Sequence, residues 1–299
     1  MIVKKLKTST ANFITVLYFR IYNTSFRKIF LHKSRIKIFI KKIYYLFIGN
    51  GLENVHTVFI ETLSACNLRC SYCPNSVYER GLVKNNQFME TKTFYKIIDE
   101  LAEMNWVGAI EPHSYGEPLL DKRLDKLCMY VHNKLPKSII AIFTNGELLN
   151  IQWYKRLINA GVTSFKVAQH LEKQSVGVLE VINYRNKYGN DGVNFDYKKL
   201  EIINSRGGLI ELDSNATAKQ ECNWPDFHIG FSFDGEVMMC CNDYLNEVKI
   251  GNIKSERLID IWNKLHYQKI RSDIREGNFT LDICKNCSDA YVTTSDKYD

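Results

Sequence analysis

"CNLRCSYCP", Cys66 to Pro74, puts three cysteines into eight positions, with three residues between the first two and two between the last two. A disulfide uses two thiols and a closed zinc site uses four ligands, so a group of three is a ligand set with one position missing. Three thiolates can hold three irons of a [4Fe–4S] cube and leave the fourth iron open to a small molecule. A zinc site completed by a distant ligand, or incidental buried thiols, are the alternatives. The preceding "HTVFIETLS" (His56–Ser64) is rich in β-branched and aromatic residues and reads as a strand. The cysteine loop therefore follows a strand.

Downstream, the chain repeats a strand-then-helix rhythm. Thr91 can cap a helix whose apolar face is Phe94, Ile97, Ile98, Leu101 and Met104. "WVGAIEPHS" (Trp106–Ser114) is a strand, and Leu124, Leu127, Cys128, Val131 and Leu135 mark a helix ending at Pro136. The strand "SIIAIFTNG" follows, then a helix from Trp153 to Ala160 stopped by Gly161, the strand "VTSFKVA", a helix from Ser175 to Tyr188 and the strand "KKLEIINS". Five or six such units predict an α/β fold with a parallel sheet and outer helices, a partial (β/α)6-type barrel. Ligand-bearing loops in such a fold lie at the carboxyl ends of strands. The candidate motifs fall there in order: Cys66–Cys73, Gly116–Pro118 ("GEP"), Thr144–Gly146 ("TNG"), Gln169 with His170, and Ser205–Gly208 ("SRGG").

At 299 residues the chain accommodates such a barrel, about 200–250 residues, with a small added module. Its nine cysteines are grouped like metal ligands and not spread like a disulfide framework, which places the protein in a reducing cytosol. The net charge of +7 is uneven: residues 1–52 hold eleven Lys/Arg and no acid, leaving 29 bases against 33 acids beyond them. A nucleic-acid partner is not expected, because the positive footprint is absent from the body. In the arm, Ile29, Ile36, Phe39, Ile40, Ile43, Leu46 and Phe47 recur at helical spacing, with Lys33, Lys37 and Lys41 on another face. This is a basic amphipathic helix that either lies on an anionic membrane surface or covers the body. Three or four lysines at a membrane contribute only about 3–4 kcal/mol, so apolar insertion has to add to them. The longest early uncharged run, Thr8–Phe19, is twelve residues, short of the roughly 18–20 that span a bilayer. The expected organisation is an arm (1–52), a barrel (53–215) and a C-terminal module (216–299).

The module carries a second set of thiols. Cys222 is followed by twelve residues, Gly235, four more and Cys240, and Cys284 and Cys287 form a terminal C-x2-C. Four thiolates can close either a [4Fe–4S] cluster or a zinc knuckle.

The first cysteine set, placed after the first strand, resembles that of the radical S-adenosylmethionine (SAM) superfamily. The second, with "IGNIKSERLIDIW" (Ile250–Trp262), resembles that superfamily's SPASM/twitch extension in its shorter, single-cluster form. The likeness spans about residues 55–290 and is nearest to members that oxidise a cyclitol alcohol. It implies two [4Fe–4S] clusters: a SAM-binding one on Cys66, Cys70 and Cys73, and an auxiliary one on Cys222, Cys240, Cys284 and Cys287. Tyr72 matches the aromatic position near the adenine, and Gly116 and Glu117 match the SAM-contacting part of a GGEP motif whose first glycine is here Tyr115. Asn145 and Gln169 are further cofactor-binding candidates at strand ends, with His113 and His170 beside them. Arg206 is placed as a substrate-contacting residue, and Cys241 as a thiol hydrogen donor. Cys128, on an apolar helix face, is expected in the core. The implied chemistry is reductive cleavage of SAM to a 5′-deoxyadenosyl radical, with electrons from reduced flavodoxin or ferredoxin, then hydrogen abstraction from a carbohydrate or nucleotide-sugar carbon. Oxidation or epimerisation of an alcohol would follow, in surface-polysaccharide or glycoside biosynthesis. Peptide maturation is the alternative activity, and a non-catalytic iron–sulfur scaffold or redox sensor the alternative of another class.

Iron and acid-labile sulfide measured after anaerobic reconstitution should reach about eight of each per chain. A zinc knuckle at the second set would leave about four.

Overall fold

The structure, a computed structural model, describes residues 51–299 except 190, 201, 212–221, 289–290 and 293–299. Met1–Asn54 and Val55–Asp299 are separate compact units. The basic arm and its membrane reading lie outside the described residues.

In the second unit, β1 (Thr57–Ile60), β2 (Ala109–Glu111), β3 (Ile139–Thr144), β4 (Ser164–Gln169) and β5 (Asn194–Lys199) alternate with α1 (Thr91–Glu103), α2 (Leu124–Lys134), α3 (Ile151–Asn159) and α4 (Val176–Tyr188). They form an open sheet in the order β5-β4-β3-β2-β1, all parallel, with α1 to α4 packing each against the next. This is the expected partial barrel. Beyond it come β6 (Ile202–Ile203), α5 (Trp224–Phe227), β7 (His228–Phe231), β8 (Val237–Met238), α6 (Leu258–Trp262), α7 (Leu265–Arg275), α8 (Asp282–Lys285) and β9 (Tyr291–Val292). The sixth parallel strand is β7, which pairs with β1 and not with β5, and β8 closes that edge antiparallel. Strands from the two cysteine-bearing regions are therefore neighbours in one sheet.

Two local expectations are corrected. Glu90, not Thr91, is the cap of α1, and Thr91 Oγ1 instead accepts from Arg123 Nη1 at 3.2 Å. The strand expected at "KKLEIINS" begins earlier, at Asn194. Gly189, at φ +87°, ends α4 and returns the chain beside β4, with Ser164 opposite Asn194. Of the described residues after Lys199 in that stretch, only Ile202–Ile203 forms a strand, and it pairs with Tyr291–Val292.

In-register neighbours share a sheet face, so the face is set by alternation. Val58, Ile60, Ile110, Ile140, Ile142, Phe165 and Val167 are all nearly inaccessible, and Tyr154 of α3 packs against Phe165 with ring centroids 5.1 Å apart. The other face carries Phe59, Glu111, Phe143, Lys166 and Ala168, and these line a cavity. Room for Phe59 depends on Gly230 opposite it, where a Cβ would lie 1.8 Å from the Phe59 ring. Cys128 is in the core, 1% exposed.

Candidate active site

The loop between β1 and α1 is fixed at both flanks. Buried Glu61, just past β1, accepts from Arg80 Nη2 at 2.7 Å, and the Arg80 guanidinium lies 4.2 Å from the centre of the Tyr244 ring. Cys66 N donates to Gly81 O at 3.1 Å. Buried Asn75 donates from Nδ2 to Tyr115 O and accepts from Tyr244 Oη, both at 2.9 Å. Its three thiols are thus presented from a braced loop.

The loop after β2 packs against it backbone to backbone. A Cβ on Gly116 would fall 2.0 Å from Leu63 O, so only glycine permits the approach. Glu117 N donates to Ala65 O at 2.8 Å. The Glu117 carboxylate is buried and committed to the protein, accepting from Thr144 Oγ1 (2.6 Å), Asn145 N (2.9 Å) and Leu119 N (3.1 Å). Gly116 and Glu117 can thus offer a ligand their backbone, while the Glu117 side chain holds the TNG loop. Asn145 Nδ2 in turn reaches Asn67 Oδ1 at 2.9 Å and Cys66 Sγ at 3.7 Å.

These loops surround a cavity of about 430 Å³ lined by Cys66, Cys70, Cys73, Tyr72, Gly116, Glu117, Asn145, Arg206 and Cys241, together with His113 and His170. Gln169 is placed differently. Its Nε2 donates to Leu171 O and Glu172 O, and its Oε1 accepts from Tyr197, so its polar atoms are taken up locally. His170 takes the cavity position, sharing a 2.6 Å hydrogen bond with Tyr72 Oη through Nδ1.

A second cavity, about 140 Å³, is lined by all four thiols of the other set, Cys222, Cys240, Cys284 and Cys287. Trp224 and Cys241 line both cavities and form their common wall. Tyr115, at the position of the missing motif glycine, crosses the same boundary: its hydroxyl donates to Cys241 O at 2.7 Å and its ring meets Tyr244 edge-on.

The donor chemistry fits iron–sulfur clusters. Burial pushes the Cys66 thiol up to about 12, and Cys70, Cys73 and Cys240 upward as well, so thiolates here require a bound cation. Amide donors already face the sulfurs, as they do around clusters: Leu68 N to Cys66 Sγ (3.4 Å), Asn242 N to Cys240 Sγ (3.4 Å) and Asn242 Nδ2 to Cys287 Sγ (3.5 Å). No three His, Cys, Asp or Glu side chains among the described residues converge on a single ion. The thiols ring cavities instead.

Arg206 lies between the two sets. Burial works against its charge, yet Tyr115, Cys241, Cys73 and Tyr72 around it hold its pKa above the ordinary value. Among the described residues its buried Nε has no hydrogen-bond partner, and neither has His113 Nδ1. A buried donor left unmatched is costly, so both atoms fit a site completed by a ligand.

Residues that the sequence did not single out also line the first cavity. Glu111 and Lys166 are on its inner strands, and Lys166 Nζ pairs with Asp196 at 3.2 Å. The rings of Trp224 and His228 stack at 4.4 Å and those of His113 and Phe143 at 4.7 Å, giving flat apolar faces. A charged Glu111 inside an otherwise apolar strand was the one available signal.

Sequence profiles agree with this geometry. That of the radical SAM superfamily matches residues 60–189, and that of the SPASM iron–sulfur cluster-binding domain matches residues 222–288. The S-adenosyl-L-methionine-dependent 2-deoxy-scyllo-inosamine dehydrogenase of Niallia circulans is 30% identical over 244 residues, 80% of this chain and 95% of that protein. The chain belongs to the radical SAM superfamily. The crystal structure of BtrN in complex with AdoMet and 2-DOIA superposes with a TM-score of 0.69 at 27% identity, covering 78% of this chain and 92% of that one. The AdoMet-bound anSMEcpe structure, at 13% identity and a TM-score of 0.52, shares the fold. As a radical SAM enzyme with a SPASM domain, the protein uses SAM and iron–sulfur clusters as cofactors. Among the described residues, no helix is long and apolar enough to cross a membrane.

Burial pushes the Glu111 carboxyl from 4.5 up to about 7. The native state therefore holds this proton more tightly than the unfolded chain, and stability falls as pH rises across that window. Glu111→Gln should raise stability at pH 8 by on the order of 2 kcal/mol and change it little near pH 4, as read from urea unfolding midpoints. An equal effect at both pH values would contradict the assignment.

Proposed function

We propose that this protein is a radical SAM dehydrogenase that oxidises a hydroxyl-bearing carbon of a carbohydrate-type ring. Cys66, Cys70 and Cys73 would hold the SAM-binding cluster, and Cys222, Cys240, Cys284 and Cys287 the auxiliary one. The observation that carries this reading is the shared wall: Trp224 and Cys241 line both the substrate cavity and the four-thiol cavity. When bound, SAM supplies a hydrogen-abstracting 5′-deoxyadenosyl radical and the auxiliary cluster an adjacent electron acceptor.

The chain's own residues then have defined tasks. Tyr72, with His170 hydrogen-bonded to it, forms the wall beside the first thiols, where the adenine is expected. The Gly116–Glu117 backbone and Asn145 complete the SAM end. Arg206 keeps its proton, so it serves as a donor to the substrate oxygen and stabilises negative charge growing there as the hydroxyl proton passes to solvent. The Glu111 carboxyl lines the cavity and can accept from further hydroxyls. The stacked pairs Trp224–His228 and His113–Phe143 offer surfaces to the C–H face of a ring. SAM has to share this cavity of about 430 Å³ with the substrate, which favours a small ring over a peptide. The dehydrogenase of Niallia circulans, named for a cyclitol amine, supports the same substrate class.

Epimerisation is the second reading, because Cys241 itself lines the substrate cavity and could return a hydrogen atom. A reduced flavodoxin or ferredoxin is the inferred electron donor. We place the enzyme in the cytosol, with residues 1–50 the segment to test against anionic membranes.

The test uses carbon-deuterated sugars and cyclitols, 2-deoxy-scyllo-inosamine among them, incubated with reduced enzyme and SAM. Oxidation predicts deuterium in 5′-deoxyadenosine together with a ketone product. An epimer carrying solvent hydrogen, lost in Cys241→Ala, would establish the second reading instead. Failure to form 5′-deoxyadenosine above background would leave only a scaffold role.

A further inference from the structure

The turn that carries Arg206 is strained; it is held from within by Arg206 N donating to Asn204 Oδ1 (2.9 Å) and Ile210 N donating to Ser205 O (3.1 Å), and from outside by a neighbour further along the chain. Arg206 has φ +49°, followed by Gly207 at +69° and Gly208 at +92°. A left-handed arginine persists only when its surroundings impose it. Among those surroundings, the tightest against the turn are residues interleaved with the last two thiols. Ser205 N donates to Ser288 Oγ and Ser288 N donates to Ser205 Oγ, each at 2.9 Å, and Ser205 Oγ donates to Asn286 O at 2.8 Å. A Cβ on Gly207 would come within 2.5 Å of Ile283, and one on Gly208 within 2.6 Å of Asn286. Ile283 precedes Cys284, while Asn286 and Ser288 flank Cys287. Just before the turn, Ile202–Ile203 pairs antiparallel with Tyr291–Val292.

This neighbour cannot order itself. Its helix, α8, is four residues long and its strand two, well below the lengths at which either element is stable alone. What can fix it is an anchor on the Cys284 and Cys287 side chains.

We infer that the Cys284–Ser288 segment is the positioning device for Arg206: thiols fixed at the auxiliary site clamp the Ser205–Gly208 turn and set the guanidinium in the substrate cavity. With those thiols released, the turn relaxes and Arg206 leaves the cavity wall. The residue that grips substrate and the site that accepts its electron therefore become competent together, and an enzyme lacking the acceptor would not orient a substrate for hydrogen abstraction. This rests on the assignment of the four thiols to an auxiliary cluster and gives that site a mechanical task besides its electronic one.

Amide hydrogen exchange at Ser205, Gly208 and Ile210, and the rate of phenylglyoxal modification of Arg206 followed by peptide mass spectrometry, test it. Three proteins are compared: the reconstituted wild type, a Cys284→Ala/Cys287→Ala variant keeping its first cluster, and Ser288→Ala, which retains all seven ligand thiols. The expected result is at least tenfold faster exchange and several-fold faster Arg206 modification in the double variant. A smaller change in the same direction is expected in Ser288→Ala at about eight iron per chain, reversed by Ser288→Thr. Arg156 and Arg185, on the barrel helices α3 and α4, should react at unchanged rates, which separates loss of positioning from general unfolding. A wild type with about four iron would refute the underlying cluster assignment. A wild type with about eight iron per chain and equal protection of the turn in all three proteins would overturn the positioning inference alone.

Discussion

The site depends on one buried carboxylate. Glu117 belongs to the loop after β2, yet its backbone N–H is bonded to Ala65 at the entrance to the cysteine loop, and its side chain to Thr144 and Asn145 after β3. Three strand-end loops, separate in sequence, are thereby joined at one residue. The neighbouring Gly116 is what lets the backbones come close enough, since any side chain there would strike Leu63 O. Burial pushes the Glu117 carboxyl up to about 7 despite the three hydrogen bonds that favour its charge. Such a group is tolerated only because its acceptors are matched. A motif that in sequence looks like a cofactor contact is, in its side chain, a brace.

From that brace the rest of the arrangement follows by adjacency. The first thiols are held on one side of a cavity, and β7, pairing with β1 from the far region of the chain, brings the second set to the other side. The sheet does not close, its free edges being β5 and β8, and the cysteine-rich module joins it through β7 beside β1. Tyr115 replaces a glycine found elsewhere in the superfamily and uses its hydroxyl to reach Cys241 O across the boundary. Arg206 sits where the two halves meet, among groups from both.

Much of this was legible in the sequence because it is written in local spacing. The C-x3-C-x2-C triplet, the terminal C-x2-C and the strand-helix alternation are short-range patterns, and motifs at strand ends have few places to go. Gln169 shows the limit: it occupies the right strand end, but the backbone carbonyls of Leu171 and Glu172 and the Tyr197 hydroxyl take up its amide, leaving His170 in the cavity. Glu111, Trp224 and His228 meet only through strand register, which joins residues far apart in the chain. The grip of Ser288 on Ser205 likewise spans 83 residues. The misplaced β5 has a simpler cause: its mixed polar sequence lacks the apolar run that betrayed the buried strands.

The central claim is that the Cys66, Cys70 and Cys73 thiolates leave one iron open and that SAM occupies it. It is tested most directly by electron–nuclear double resonance on the reduced protein with SAM labelled by ¹⁵N at its amino group and ¹⁷O at its carboxylate. Hyperfine coupling from both nuclei to the reduced cluster is the predicted result, with Cys222→Ala/Cys240→Ala protein giving the same couplings. A reduced cluster whose spectrum is identical with and without the labelled molecule would contradict the account.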